Sequence, residues 1–449
     1  MTPEEIVALC SDHRIRLIRF LYCDNGGVVR GKATHMSGLA DRMRTGIGLT
    51  VAMQAMNSLD QLQPVDGMSA VGEIRLVPDP DTFTILPYAP NSAAMLVDHV
   101  ALDGSPYQAG PRNFLKRMTD RLDGRGMRFS CSVENEFSLA TRTDDGNFAP
   151  IDQSLCFSTV GMTASAEVVD ALVEALEAQG IRLEQFYIEL GHGQQEISVA
   201  HQPAIRAADT QVLVRETIRA VAARFGLIAS LAPKPWPDQA GNGAHVHFSV
   251  WDEGGTNLFH DPDGRFGLSE TAERFVAGIL AHLPGLLALT APSFNSYRRL
   301  LPMHWSSAFT CWGPDNREGA VRVPSTFWGM EADSANLEYK PADASCNPYL
   351  AFGGLIAAGL DGIEKELVPP DPITVDPATL PEDERAAKGI HRYPETLQDA
   401  LLALEKDEVL MEALGDLLAR SYLAVRRSEW EAYSAADEEF QFRNHFLKY

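Results

Sequence analysis

Cysteine is scarce in this sequence, and no two cysteines are close together. There is no Cys-x-x-Cys pair, which excludes a cysteine zinc cluster and argues against a disulfide framework. We therefore expect a reducing compartment, the cytoplasm. The six cysteines are Cys10, Cys23, Cys131, Cys156, Cys311 and Cys346.

Long apolar runs and basic residues are also in short supply. No run approaches the length of a membrane-spanning helix, and residues 1–10 are acidic without the basic-then-apolar order of a signal peptide. The 38 lysines and arginines are outnumbered by 61 acidic residues, for a formal net charge of −23. So acidic a chain is a poor partner for nucleic acid or an anionic membrane, and we expect neither.

The remaining composition is that of an ordinary globular protein. Its 449 residues are 45% hydrophobic and 22% charged, which is long enough for two domains. Short strands with one crossing helix predict a small domain over residues 1–105. Longer helices between strands predict a larger domain over 106–449, an antiparallel sheet surrounded by helices. The expected fold class is therefore α+β.

Two glutamates lie side by side in the segment 128–139. Apolar and polar residues alternate there with the period of a strand, so Glu134 and Glu136 share a face, about 6–7 Å apart. Two such carboxylates repel each other unless a cation lies between them. A solvated surface strand is the alternative for an isolated pair of this kind.

Other predicted strands carry ionisable side chains on one face. The acids are far too many for a dry core, where unpaired charges are very costly. A wet, concave sheet that binds Mg²⁺ or Mn²⁺ through carboxylates and an imidazole accounts for them together, and such cations bridge polyphosphates. Each residue taken alone could be a solvated strand end or a hydrogen-bonded core histidine. The residues are Glu189, Glu196, His245, His247, Ser249, Glu338 and Lys340.

Arginines supply the complementary charge. Arg299, Arg317 and Arg322 offer planar, permanently charged forks for carboxylate or phosphoryl groups, although any one of them could be a surface ion-pair partner. The chain has no GxxxxGK[ST] motif. Phosphate binding would therefore depend on metals and arginines.

These motifs occur in an order that resembles type I glutamine synthetase over essentially the whole chain. The resemblance implies a β-grasp N-terminal domain, a catalytic domain with a curved antiparallel sheet, and ATP and L-glutamate as substrates. It also implies a homo-oligomer, a dodecamer of two hexameric rings with active sites at subunit junctions. The matching segments are Glu134-x-Glu136, Glu189 with 193–196, 241–249, 295–302, 316–324, and Glu338 with 347–349.

The resemblance also implies roles for single residues. One metal ion would take Glu136, Glu189 and Glu196, and the other Glu134, His245 and Glu338. ATP would contact His247, Ser249 and Arg322, and glutamate would contact Gly241, Arg299 and Lys340. Arg299, Arg317, Arg322 and Lys340 are the expected catalytic residues. The implied reaction forms γ-glutamyl phosphate, which an amine then attacks.

The departures from the family pattern concentrate where the amine would bind. Trp305, next to His304, stands where the family has an acid that takes a proton from ammonium. Val51, Ala52 and Met53 stand where an N-terminal aspartate would hold ammonium. This apolar pocket favours an organic amine. An arylamine fits best, a small alkylamine could bind Trp305 by a cation–π contact, and a polyamine would need acids absent from these segments.

Three further points follow from the resemblance. Lys340 replaces an arginine near glutamate and loses its bidentate geometry. Ammonia as the amine, in an atypical glutamine synthetase, is one alternative. A catalytically silent, ring-forming scaffold is another, although a scaffold has no reason to keep mutually repelling carboxylates.

Overall fold

Sixteen strands form two sheets in the computed structural model, which describes residues 1–449. In chain order they are β1 (Leu17–Cys23), β2 (Val29–His35), β3 (Ile47–Thr50), β4 (Glu73–Pro78), β5 (Thr84–Ile85), β6 (Ser92–Val100), β7 (Met127–Arg142), β8 (Phe148–Pro150), β9 (Leu183–Ile188), β10 (Gln194–Val199), β11 (Gln202–Pro203), β12 (Ile228–Ser230), β13 (Ala244–Asp252), β14 (Phe309–Pro314), β15 (Gly319–Val323) and β16 (Leu337–Tyr339).

Fifteen α-helices surround the sheets. They are α1 (Pro3–Asp12), α2 (Leu39–Thr45), α3 (Pro111–Asp123), α4 (Thr159–Ala164), α5 (Ala166–Ala178), α6 (Ala204–Arg224), α7 (Glu270–Thr290), α8 (Ser296–Arg299), α9 (Glu331–Ser334), α10 (Pro348–Glu364), α11 (Glu382–Ala387), α12 (Leu397–Lys406), α13 (Glu408–Leu414), α14 (Asp416–Ala435) and α15 (Glu438–Lys448).

The N-terminal sheet has six strands in the order β2-β1-β6-β4-β3, with β5 paired to β6. β1 runs parallel to β6 and antiparallel to β2. Its buried face forms a separate hydrophobic core with α1 and α2, which includes Ile18, Phe20, Leu76 and Met95. This agrees with the expected small strand-rich unit.

The second sheet has ten strands in the order β14-β15-β16-β13-β7-β10-β9, with β8, β11 and β12 paired to β7. All its pairs are antiparallel except β14–β15. Both sheets together confirm the α+β class. The sequence does not indicate strand β14, because Gly313 and Pro314 at its end are typical of a turn.

The predicted alternation in β7 is present. Phe129 is buried against Phe248 of β13 and Phe275 of α7, with ring centroids 5.3 and 6.1 Å away. Glu134 and Glu136 extend from the other face, because neighbouring side chains alternate along a strand. The core therefore lies on one side of the sheet and the ionisable residues on the other.

Helix α7 is the one helix long and apolar enough to cross a membrane, with a mean hydropathy of 1.3. Its apolar window is 67% buried inside the protein, and Phe275, Ile279 and Leu283 are fully covered. Packing in the core accounts for its composition.

The β1–β2 turn fastens the N-terminal sheet to the rest of the chain. Gly27 has a φ of +76°, and a Cβ there would lie 2.0 Å from the Ser345 carbonyl oxygen, so only glycine fits. Asn347 donates to the carbonyls of Cys23 and Asp24 at 2.9 and 3.1 Å. The proposed domain boundary at 105/106 lies between β6 and α3, and it stays a prediction.

Candidate active site

Strand register brings the predicted ionisable residues together. On one side of β7, Glu196 of β10 lies opposite Glu136, and on the other side His245 of β13 lies opposite Glu134. Further along β13, His247 pairs with Glu338 of β16. Directly paired residues on one face have Cβ atoms about 4.5–5.5 Å apart, so the cluster follows from backbone pairing.

The two histidines lie among these carboxylates. His245 Nδ1 is 3.4 Å from Glu134 Oε2 and 3.5 Å from Glu338 Oε1, and its Nε2 is 3.6 Å from Glu136 Oε1. His247 Nε2 is 3.3 Å from Glu134 Oε1. One ligand atom each from Glu134, His247 and Glu338 lie within 4.8 Å of one another. Both imidazoles thus lie within reach of a cation bound at Glu134.

The carboxylates nearest β10 carry excess negative charge. Burial, together with repulsion from Glu136, raises the pKa of Glu196 to about 10 and that of Glu189 to about 7. The Tyr187 hydroxyl donates a hydrogen bond to Glu196 Oε1. Such carboxylates ionise together only beside a cation, and oxygen ligands with one imidazole suit Mg²⁺ or Mn²⁺. The residues present therefore fit the expected divalent ions.

Positive side chains surround Glu338, which is fully buried. Arg322 Nη1 is 2.5 Å from Glu338 Oε2, and Lys340 Nζ is 3.2 Å from Oε1. Burial opposes ionisation, but Lys340, His247, His245 and Arg322 outweigh it and lower the pKa of Glu338 to about 2. This edge of the cluster is a fixed network of opposite charges.

A cavity of about 450 Å³ opens over the cluster. Its walls bring together most of the predicted site residues from seven separate segments. Those that line it are Glu134, Glu136, Glu189, Glu196, Gly241, His245, Arg299, His304, Trp305, Arg317 and Lys340.

The residues expected to contact ATP lie beside this cavity along β13. Ser249 is buried and accepts a hydrogen bond from Trp251 Nε1 at 2.8 Å. His247 Nδ1 lies 2.8 Å from Asn336 Oδ1, which orients the ring. Burial lowers the pKa of His247, but the nearby Glu134 and Glu338 carboxylates outweigh burial and raise the pKa to about 9.

Arg299 is held at the opposite wall. Its Nη2 donates to the carbonyl oxygens of Pro341 and Ala342 at 2.6 and 2.9 Å, while Nε has no hydrogen-bond partner. Gly241 lies against this arginine, since a Cβ there would be 2.7 Å from Arg299 Cγ. Arg317 is exposed and makes no ion pair.

Residues 302–307, which we name the flap, form one rim of the cavity. Trp305 is 57% exposed, and its backbone N–H donates to Glu318 Oε1 at 2.7 Å. Met303, Trp305 and Ser307 have φ values of +62°, +54° and +65°. Left-handed backbone is costly for residues other than glycine, so the flap is a strained segment beside the site.

Val51, Ala52 and Met53 do not line this cavity. They belong to a 3₁₀ helix, Val51–Ala55, in the N-terminal part of the chain, where Val51 and Ala52 are buried. Their membership of an amine pocket depends on a neighbouring subunit and stays a prediction.

The sequence reasoning missed several polar residues at the site. Gln194 Nε2 donates to Glu136 Oε2 at 3.1 Å and to the Gly241 carbonyl at 2.9 Å, and Lys234 and Asp238 line the cavity. The expected amine-pocket segments contain no acid, and Glu318, from a different segment, contacts the flap backbone. The one signal for it in the sequence is its place directly after Arg317 and before strand β15.

The chain is similar to known proteins over nearly its whole length. The glutamine synthetase catalytic domain matches residues 108–445, and the glutamine synthetase N-terminal domain matches residues 2–107. A γ-glutamylpolyamine synthetase of Streptomyces coelicolor is 39% identical, over 93% of this chain and 90% of the relative. A glutamine synthetase of Halobacterium salinarum is 37% identical over 84% of each chain. A GmaS–ADP complex superposes with a TM-score of 0.86 and 30% identity, over 98% of each chain.

Proposed function

The chain belongs to the glutamine synthetase family and is an ATP-dependent ligase, and from that premise we propose that it joins the γ-carboxylate of L-glutamate to an organic amine. Members of this family use ATP, divalent metal ions, glutamate, and either ammonia or an amine. The observation that carries the choice of an organic amine is Trp305, an aromatic side chain on the rim of the carboxylate-lined cavity.

The carboxylate cluster is the proposed phosphoryl-transfer end of the site. Glu136, Glu189 and Glu196 would hold one Mg²⁺ or Mn²⁺ ion, and Glu134, His245 and Glu338 the other. Bound there, such ions offset the charge of ATP's phosphates.

The protein's own cations act beside the metal site. Arg322 and Lys340 are already positioned by Glu338, so they can stabilise the transferred phosphoryl group without reorganising. Arg317 is unpaired and free to contact the same group. ATP itself would extend along β13 past His247 and Ser249, with Arg322 at its phosphates.

Glutamate is proposed to bind between Gly241, Arg299 and Lys340. Arg299 is rigidly held through Nη2, which leaves its unpartnered Nε as a charged donor at the wall of the cavity. The γ-carboxylate would attack the terminal phosphate of ATP to give γ-glutamyl phosphate. An amine then attacks the acyl carbon, and phosphate leaves.

Trp305 and His304 are proposed to line the amine end. An exposed indole covers apolar surface of a bound amine, worth about 25 cal/mol per Å² removed from water. Its face also attracts an alkylammonium group by a cation–π contact. Aryl- and alkylamines are therefore preferred over ammonia.

Assembly and location are part of the same proposal. A dodecamer of two hexameric rings would bring Val51, Ala52 and Met53 of one subunit to the flap of the next and complete the amine pocket. We propose a cytoplasmic enzyme with no nucleic-acid or membrane partner, built from domains at 1–105 and 106–449.

Phosphate release from ATP tests the proposed function. The purified chain is assayed with glutamate, Mg²⁺ or Mn²⁺, and a panel of ammonia, alkylamines, arylamines and polyamines. Faster turnover with an organic amine than with ammonia is expected. Ammonia that matches or exceeds every organic amine would contradict the proposal.

Ammonia as the amine is the second candidate, favoured by relatives such as the Halobacterium salinarum glutamine synthetase. A silent ring-forming scaffold is a third, and the absence of turnover with any amine would support it. The intact carboxylate cluster argues against it, because Glu189 and Glu196 repel Glu136 and gain nothing from this proximity unless a cation binds.

A further inference from the structure

Glu318 lies next to the active-site cavity, because it contacts Trp305, which lines that cavity. Strand β15 begins one residue later, and Arg322 on this strand pairs with Glu338. Ala320 and Arg322 share one face of β15, and Glu318 lies in the turn directly before this strand. The Lys340 N–H donates to the Ala320 carbonyl at 3.1 Å, so Glu318 lies just beyond Lys340, away from β13 and its ATP residues.

One carboxylate oxygen of Glu318 accepts a hydrogen bond, and the other has no hydrogen-bond partner. Oε1 accepts the Trp305 backbone N–H at 2.7 Å. Oε2 is buried and has no hydrogen-bond partner, in a residue only 5% exposed. A buried acceptor without a donor destabilises the fold, so this oxygen suits a group that brings N–H donors.

The charged groups that face Glu318 suit a proton acceptor. Burial raises the pKa of its carboxyl, the Trp305 N–H opposes this, Asp376 adds to it, and Lys340 and His304 lower it. A base works best when its pKa lies near the operating pH. The flap that touches Glu318 has left-handed backbone at Met303, Trp305 and Ser307, which is uncommon for residues other than glycine.

We propose that Glu318 binds and deprotonates the amine substrate, and that this substrate is a protonated aliphatic amine rather than an arylamine. The inference rests on the proposed function and narrows its amine class. An arylamine is uncharged at neutral pH and has no need of a base before it attacks.

The proton balance of the step is complete. The alkylammonium group gives one proton to Glu318 Oε2, and the freed nitrogen lone pair forms the C–N bond to the γ-acyl carbon. The bond from that carbon to the phosphate oxygen breaks. The attacking nitrogen loses its second proton to the departing phosphate, and Glu318 returns its own proton to solvent.

Glu318→Gln separates this role from a structural one. The amide keeps an oxygen for the Trp305 N–H but cannot take a proton. We expect kcat/KM for propylamine, which is protonated at neutral pH, to fall about 10²-fold or more, the usual size of a general-base effect. Turnover with hydroxylamine, which is uncharged at that pH, should change less than about threefold and shows that the folded site is intact.

Two matched variants complete the test. Asp238→Asn changes another acid that lines the cavity, and Glu167→Gln changes an exposed helical glutamate. Both should keep the wild-type propylamine-to-hydroxylamine ratio. Equal loss with both nucleophiles in Glu318→Gln would make Glu318 a flap anchor only and overturn the proposal. The proposal would also be overturned if Glu318→Gln left turnover with both nucleophiles unchanged, or if Asp238→Asn lost activity selectively with propylamine. A wild-type chain inactive with every amine would instead overturn the proposed function itself.

Discussion

The two ends of the candidate active site are built in different ways. At the phosphoryl end, Glu134, Glu136 and Glu338 are fixed by the pairing of β7, β13 and β16. At the proposed amine end, Trp305 lies on a flap with left-handed backbone, where its N–H donates to Glu318 and the neighbouring Ser306 hydroxyl donates to the Arg299 carbonyl at 2.7 Å. A rigid sheet suits chemistry common to a whole family, whereas a loop can change its side chains without disturbing that chemistry. Reaction type and amine choice should therefore respond separately to mutation.

The largest effect is expected from Glu338→Gln. The change removes the charge that holds Arg322 and Lys340 and a proposed metal ligand, while the shape stays nearly the same. We expect kcat to fall about 10²-fold or more, equally for ammonia, alkylamines and hydroxylamine. Phosphate release measures this, with Glu167→Gln as an unaffected control. A fall in kcat with only one of the amines would show that the two ends of the site do not respond separately to mutation.

Trp305→Glu should change selectivity and spare the reaction. The carboxylate of the introduced glutamate attracts ammonium. A bulky amine loses its apolar contact with the indole, and burying one apolar side chain is worth about 1.5–3 kcal/mol. The ratio of kcat/KM for ammonia to that for a bulky amine should rise about tenfold or more. Trp305→Phe keeps an aromatic ring and should keep the wild-type ratio. An unchanged ratio in Trp305→Glu would show that Trp305 does not contact the amine.

Divalent cations should stabilise the phosphoryl end alone. Glu189 and Glu196 repel Glu136, so a cation that binds the folded cluster relieves this repulsion. At 100 times its Kd the ion adds about 2.7 kcal/mol to the free energy of unfolding. Thermal unfolding with Mg²⁺ or Mn²⁺ should show a rise in Tm that Glu196→Gln reduces and Trp305→Phe does not. If the ion raised the Tm of Glu196→Gln as much as that of the wild-type chain, the ion would not bind at Glu196.

The smallest effect should come from the scaffold beneath both ends. His282 Nδ1 lies 2.8 Å from Asp407 and Nε2 lies 3.1 Å from Asp361. Burial lowers the pKa of His282, but the two carboxylates outweigh it and raise it above 6.5. The two ion pairs of His282 therefore stabilise the fold fully at a pH below 6.5. This stabilisation is lost as the pH rises through the raised pKa of His282 in the folded protein.

His282→Gln should therefore lower the free energy of unfolding at pH 6 by about 1–3 kcal/mol, the usual worth of hydrogen bonds to charged groups, and by less at pH 9. Denaturant titration at both pH values measures this. His391→Gln, at an exposed position, should have no such pH dependence. A larger loss at pH 9 than at pH 6 would contradict the assigned ion pairs.

The phosphoryl end was largely predictable from the sequence. Period-2 alternation places Glu134 with Glu136 and His245 with His247, and a dry core cannot accept so many charges. Strand pairing depends on contacts between distant parts of the chain, however, so the proximity of Glu196 to Glu136 is known only from the structure. The resemblance to a known family supplied the expected ligand sets.

The amine end was predictable only as far as Trp305. Residues 48–53 and the flap contain no acid, but Glu318 reaches the flap from a different segment of the chain. Contacts of this kind depend on loop conformation, and the left-handed residues of the flap, Met303, Trp305 and Ser307, have no glycine to signal them.

Direct competition between amines tests the central claim most closely. Ammonia and propylamine at equal concentration are supplied together with glutamate, ATP and Mg²⁺, and the products are identified by mass spectrometry. An organic-amine ligase with Trp305 in place of an acid should form mainly γ-glutamylpropylamide. Glutamine as the main product would contradict the account.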